Sequence, residues 1–331
     1  MSDPRAHRTV APPGLSRSNP PGDGSVRASG FAPADPFLVF AYAILERGVA
    51  ALVEHRPPPE RAPAPDEIHQ LRVAARRLRV ALRLLRRMLP SRDVARFRAD
   101  LHWFASSLGD VRDLDVYAEH FKAYVNTVPP EQRGDLGGYE LYLRRERAEA
   151  RNRATATLAE PRTAAMFADV ARFVAAGPSA GALRRWRSLK VRDGIRASVR
   201  GSVGRVRRLG KAVTLRTRAA ELHELRIKTK RLRYELEFFA DVYPPLASSA
   251  KACKALQDLL GTLQDASTAT TRLRRYANLL KKQTGSPVAL PPALVELRRS
   301  QLALARSVRR SFADQWPAFA AAIDDARRVV A

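Results

Sequence analysis

Two stretches of the 331-residue chain place cations at helical spacing. His69, Arg72, Arg76, Arg79 and Arg83 follow one another at steps of three and four. His223, Arg226, Lys230 and Arg233 repeat the first four positions. At about 100° per residue, the first set falls in a sector roughly 80° wide. Leu71, Ala74, Leu78, Leu82, Leu85 and Leu89 fill a separate apolar sector, which Leu225, Leu232 and Leu236 reproduce in the second stretch. Like charges so spaced repel along a helix. Their chemistry suits a chain of phosphates: arginine offers a planar donor fork that matches phosphate oxygens, and lysine a compact charge. Four cations over ten residues follow about 15 Å of helix axis. A single such run reads equally well as a solvated basic face. Its recurrence from a His at the same spacing favours binding. Arg77 and Arg231 point off the stripe, where they suit inter-helix ion pairs as well as ligand contacts, and they are left out of the site. A polyanion beside His69 and His223 favours the imidazolium, so binding is expected to strengthen below neutral pH.

Catalytic signatures are lacking. Gly204 to Gly210-Lys211-Ala212 is a poor phosphate-binding loop, with glycine spacing one residue too long and no Ser or Thr following. There is no HExxH and no GxSxG. Gly109-Asp110-x-x-Asp113, with Asp115 beyond it, has the look of a metal site. Its counterpart Gly261-Thr262-x-x-Asp265 has too few acids, so both are read as capped helix starts. The expectation is a non-enzymatic protein without cofactor or metal.

The elements that carry these residues are helical throughout. Residues 1–35 are rich in Pro, Gly, Ser and Arg without periodicity and are read as a disordered basic tail. Asp35 and Pro36 make a helix start. Helices are predicted to follow to about 56, then over 66–89, 92–107, 110–127, 138–176, 181–212, 216–243, 245–260, 262–283 and 291–330, with no credible strand. Ile68-His69-Gln70-Leu71-Arg72-Val73 matches Leu222-His223-Glu224-Leu225-Arg226-Ile227, and Arg76-Arg77-Leu78-Arg79 matches Lys230-Arg231-Leu232-Arg233, all 154 residues apart. Leu108-Gly109 and Asp113 recur as Leu260-Gly261 and Asp265 at an offset of 152. A domain-scale repeat of this kind predicts an all-α fold of two antiparallel four-helix bundles, 36–177 and 178–331, related by a pseudo-two-fold axis.

Charge restricts the partners. Fifty-nine Lys+Arg against thirty-three Asp+Glu give +26, a field that attracts polyanions at the expense of self-repulsion. Nine lysines against fifty arginines is consistent with a GC-rich coding sequence, but the shortage of acids is not explained that way. One cysteine, Cys253, excludes a disulfide framework and suits a reducing cytosol. The N-terminus lacks the apolar segment of a secretion signal. The longest apolar run, 37–45, falls well short of the roughly 20 residues needed to span a membrane. A cytoplasmic protein with no membrane partner is expected.

The repeated residues also carry a family resemblance. Residues 68–79, with His69, Arg72, Arg76 and Arg79, resemble the signature of the CHAD family, the conserved-histidine α-helical domain. Leu108-Gly109-Asp110-Val111-Arg112-Asp113-Leu114-Asp115-Val116 resembles its second block, and 222–234 and 254–265 the corresponding pair in the other half. The resemblance runs from Pro36 to the C-terminus. It implies two bundles around a basic pore or groove that binds inorganic polyphosphate, often at polyphosphate granules. It implies His69, Arg72, Arg76, Arg79, His223, Arg226, Lys230 and Arg233 as ligands, and Arg112 and Lys254 beside them; Gln264 and His102 replace these last two in the other copy. Arg83 extends the first stripe. Family members fused to a triphosphate-tunnel phosphohydrolase carry an ExExK motif and a β-rich barrel, and this chain has neither. The basic tail lies outside the family pattern. Two rivals to polyphosphate binding remain: binding of an RNA or DNA backbone, and hydrolysis of polyphosphate.

Overall fold

The computed structural model describes residues 30–58, 61 and 63–331. Residues 1–29, most of the expected tail, lie outside them. The chain forms α1 (Phe37–Glu54), α2 (Pro65–Leu84), α3 (Ser91–Ser107), α4 (Gly109–Val125), a short α5 (Pro130–Arg133), α6 (Gly137–Ala159), α7 (Pro161–Ala175), α8 (Ala180–Trp186), α9 (Val191–Lys211), α10 (Ala219–Phe239), α11 (Leu246–Thr284) and α12 (Pro292–Val329). Among the described residues there is no strand, only an isolated bridge between Pro36 and Lys190. The fold is all-α.

The repeat is visible in the element boundaries. α1 and α9 begin 154 residues apart, as do α2 and α10, and α7 and α12 end 154 residues apart. The starts of α2 and α10 are also built alike. Glu67 accepts the Ala64 N–H at 2.7 Å, and Glu221 accepts the Arg218 N–H at 3.0 Å. A first-turn carboxylate satisfies a donor that the helix itself leaves open.

In each half the helices pack in a ring. α1 contacts α2 and α7, α2 contacts α3, and α4 contacts α6; α9, α10, α11 and α12 close the second ring. The halves meet where α2 crosses α10 and α1 crosses α9. Phe40 packs 6.3 Å from Phe239 there. Arg77 lies over the rings of Tyr234 and Phe238 and pairs with Glu237, the inter-helix one of the two roles its position left open. One apolar core runs through both halves, and a second cluster joins them again through Tyr117, Phe121, Tyr139, Leu273, Tyr276 and Leu294 of α4, α6, α11 and α12.

Four local expectations are corrected. Residues 30–35 belong to the folded body rather than the tail: Phe31 packs 5.3 Å from Phe40, and the Asp35 and Pro33 carbonyls accept N–H groups of Val191 and Arg192. Asp35 does not cap α1, because its carboxylate is taken by the Ala32 N–H at 2.7 Å. The helix expected over 138–176 breaks at Glu160, whose extended backbone is what a following proline favours, and restarts with Pro161. The break expected near residue 261 is absent, and α11 runs on for 39 residues. A helical glycine costs only about 1 kcal/mol, which burial of Leu256, Leu260 and Leu263 on either side outweighs.

The capped starts are corrected too. Leu108 keeps helical torsions, and its N–H bonds back to the Phe104 carbonyl, so α3 passes into α4 without a side-chain cap. Thr262 Oγ1 bonds back to the Asp258 carbonyl in mid-helix.

Candidate functional site: a basic cavity on the pseudo-two-fold axis

Between the α2–α10 crossing and the second apolar cluster lies a cavity of about 500 Å³. α2 supplies His69, Arg72 and Arg76; α10 supplies His223, Arg226 and Lys230. These are equivalent triplets, and they converge because the axis brings the same face of two equivalent helices together. α4 adds Arg112, and α11 adds Gln264 at the position equivalent to it. Tyr117 marks the far wall, its hydroxyl 2.8 Å from that of Tyr139 and its ring under the Arg272 guanidinium at 5.4 Å.

Carboxylates orient the cations rather than cancel them. Arg72 donates to the Gly109 carbonyl at 3.0 Å and reaches Asp113 at 3.5 Å. Asp113 and Asp265, read from sequence as helix-start acids, both line the cavity instead. Asp115, set aside as a metal ligand, is buried and receives Arg147 at 2.7 Å. Among the described residues no three His, Cys, Asp or Glu side chains are grouped to hold a metal. Arg76, Arg112 and Lys230 have no ion pair among the described residues.

This arrangement is electrostatically unfavourable without an anion. Burial lowers the His69 pKa, and the charges of Arg112, Arg72 and Arg76 lower it further, against the opposite pull of Asp66. Lys230 keeps some solvent contact through the cavity, yet protein atoms surround it. Burial first, then the charges of Arg76, Arg226, Arg233 and Arg72, push its ammonium well below the usual lysine range. His223 Nδ1 lies 3.1 Å from Gln264 Oε1, so the two imidazoles differ in setting: one beside a guanidinium, the other beside an amide.

The remaining sequence candidates lie elsewhere. Arg79 and Arg83 continue along α2 past the cavity. Arg233 pairs with Glu237 at 3.2 Å and stacks on Tyr234 at 4.7 Å. Lys254 pairs with Asp258 at 2.8 Å. Both pairs are four residues apart on one helix, a spacing visible in the sequence.

The CHAD domain family model matches residues 43–274. The chain belongs to the CHAD family. Solved CHAD folds extend the likeness beyond that span. The CHAD domain from the plant Ricinus communis superposes with a TM-score of 0.55 at 23% identity, over 87% of this chain and 97% of that one. PptA from Streptomyces chartreusis superposes at 0.66 with 18% identity, over 86% of this chain and all of that one. No curated protein matches the sequence. In this CHAD domain, α12 completes the second ring although the whole of it follows the matched residues. No helix among the described residues is long and apolar enough to cross a membrane.

Proposed function

We propose that the cavity binds inorganic polyphosphate and holds it without hydrolysis. The observation that carries this reading is the convergence of two equivalent His/cation triplets on one cavity, with Arg76, Arg112 and Lys230 lacking a carboxylate partner among the described residues. A bare chain of phosphates offers charge to every one of these groups and carries no bulk beyond its oxygens. A nucleic acid also brings bases, which single-strand readers stack on exposed aromatics. Among the described residues the one Phe, Tyr or Trp of the wall, Tyr117, is already engaged by Tyr139 and Arg272. On this reading the protein acts in the cytoplasm, at polyphosphate granules, as a carrier or organiser of the polymer.

A competition titration at fixed salt tests the proposal. Labelled long-chain polyphosphate bound to the full chain is challenged with equal phosphate equivalents of RNA and of DNA. Poor competition is expected. Equal competition would reduce the protein to a general polyanion binder. Phosphate release by the wild type that disappears in a His69→Ala/His223→Ala variant would overturn the non-enzymatic reading.

A further inference from the structure

A second cation cluster lies outside the cavity, on one flank of the α2–α10 crossing. Arg79 and Arg83 come from α2, Arg98 from α3, Arg205 from α9 and Arg231 from α10. All but Arg205 are partly withdrawn from solvent. They are near neighbours: Arg79 feels the charges of Arg231, Arg76 and Arg98, and Arg83 those of Arg231, Arg98 and Arg205. Among the described residues none of Arg79, Arg83, Arg98 and Arg231 forms an ion pair. Two acids act on Arg231. Glu224 is engaged by Lys228 at 3.5 Å. Glu235 is buried and accepts the Ser198 hydroxyl at 3.2 Å; burial raises its pKa, while hydrogen bonds from Ser202 and Ser198 and the charges of Arg205 and Arg83 pull it the other way.

The repeat shows that this flank is a departure from symmetry. On the opposite flank, the equivalents of Arg79, Arg83 and Arg231 are Arg233, Glu237 and Arg77. There Glu237 pairs with both arginines. Arg83 stands where the other half has that glutamate. Arg205 has Ala51 as its counterpart, and Arg98 falls opposite an alanine at either offset, Ala250 or Ala252. Three differences from that flank, at Arg83, Arg98 and Arg205, therefore add positive charge or remove negative charge at one spot, against two acids, Glu224 and Glu235, that stand where the other half has Gln70 and Ala81. Repulsion between partly buried guanidiniums opposes folding, so such a cluster needs an anion to offset it.

We propose that this flank is a second phosphate subsite, which takes the continuing phosphates of a chain seated in the cavity and makes polyphosphate leave on this side alone. The inference rests on the cavity being the polyphosphate site. Arg76 connects the two, since it lines the cavity and neighbours Arg79. Arg76 to Arg83 spans about 10 Å of helix axis, so only a chain longer than the cavity reaches the subsite. It assigns to binding three arginines, Arg98, Arg205 and Arg231, that the repeated stripe omits.

Two variants built from the other half's own residues test it: Arg83→Glu, and the double variant Arg98→Ala/Arg205→Ala. Each is titrated with tripolyphosphate and with long-chain polyphosphate over a salt series. Tripolyphosphate affinity should stay within about twofold of wild type. Long-chain affinity should fall roughly tenfold or more, and the double variant's salt slope should flatten by about two. Unchanged long-chain binding, or equal losses for both ligands, overturns the subsite. Arg76→Ala is run alongside and should weaken both ligands. If it weakens neither, the cavity reading fails on its own account. Melting curves without ligand confirm that each variant is folded, and Arg83→Glu is expected to melt higher than wild type.

Discussion

Lys230 is where binding and stability oppose each other most directly. Its ammonium makes no ion pair or hydrogen bond among the described residues and has Arg72, Arg76, Arg226 and Arg233 as charged neighbours. Lys230→Met keeps most of the aliphatic stem and removes the amine. Because the ammonium keeps solvent contact, what the variant relieves is its repulsion from those four cations, about 1 kcal/mol or more at solvent-screened separations. In a domain of this size each kcal/mol shifts Tm by about 2–4 °C, so the ligand-free variant should melt a few degrees above wild type. The loss of a charge-assisted contact to phosphate is worth about 1.5–3 kcal/mol, or roughly ten- to a hundredfold in Kd. Saturating polyphosphate should therefore raise the wild-type Tm more than the variant's. The pH dependence has a definite sign. The folded state holds the lysine pKa low, so at pH values between the folded and unfolded pKa the unfolded chain binds more protons. Wild-type stability should rise with pH toward the ordinary lysine range, and Lys230→Met should lose that rise. Paired thermal melts and titrations decide the matter. A variant that melts lower without ligand, or that binds polyphosphate as tightly as wild type, would refute the reasoning.

Three further outcomes follow from the same structure. His69 is held toward its neutral form without ligand, while bound phosphates favour its proton, so polyphosphate affinity should rise as pH falls from 7 through 6; His69→Gln should flatten that rise. Without ligand, stability should fall below about pH 6.5, because the unfolded state takes the proton first, and urea unfolding at pH 7 and pH 5.5 would show it. Gly210 in α9 faces the Trp316 ring of α12, where an added Cβ would meet ring carbons at 1.8 Å. Gly210→Ala should therefore destabilise the fold by about 1–3 kcal/mol or more in urea unfolding, without changing the affinity of the folded fraction.

The repeat made much of this architecture legible in advance. A shared offset of 154 residues predicted two equivalent halves, and helix starts such as those of α2 and α10 keep that offset. Local breaks were harder to read, because proline and glycine act through their surroundings. Pro161 separates α6 from α7, whereas Pro317 lies inside α12. Gly261 reads as a stop in isolation, but the buried leucines around it keep α11 continuous.

The candidate site was legible where symmetry acts and illegible where it fails. A helical wheel puts Arg72, Arg76, Arg226 and Lys230 on one stripe, and the axis brings those stripes together. The wheel describes one helix and not its neighbour. It therefore sent Arg231 away from the stripe of α10, when that side of α10 meets the end of the stripe on α2. Arg98 and Arg205 have no repeated counterpart and gave no signal at all. Arg233 and Lys254 could have been demoted, since Glu237 and Asp258 lie four residues further along the same helices.

The salt dependence of long-chain polyphosphate binding tests the central claim most directly. Affinity is measured for the wild type, Arg76→Ala and Lys230→Ala over a range of salt concentrations. Each cation that neutralises a phosphate releases counterions, so removing one flattens the slope of log K against log salt by about one. Both variants are expected to bind more weakly with slopes reduced by that amount. Wild-type slopes and affinities in both variants would contradict the assignment of this cavity as the polyphosphate site.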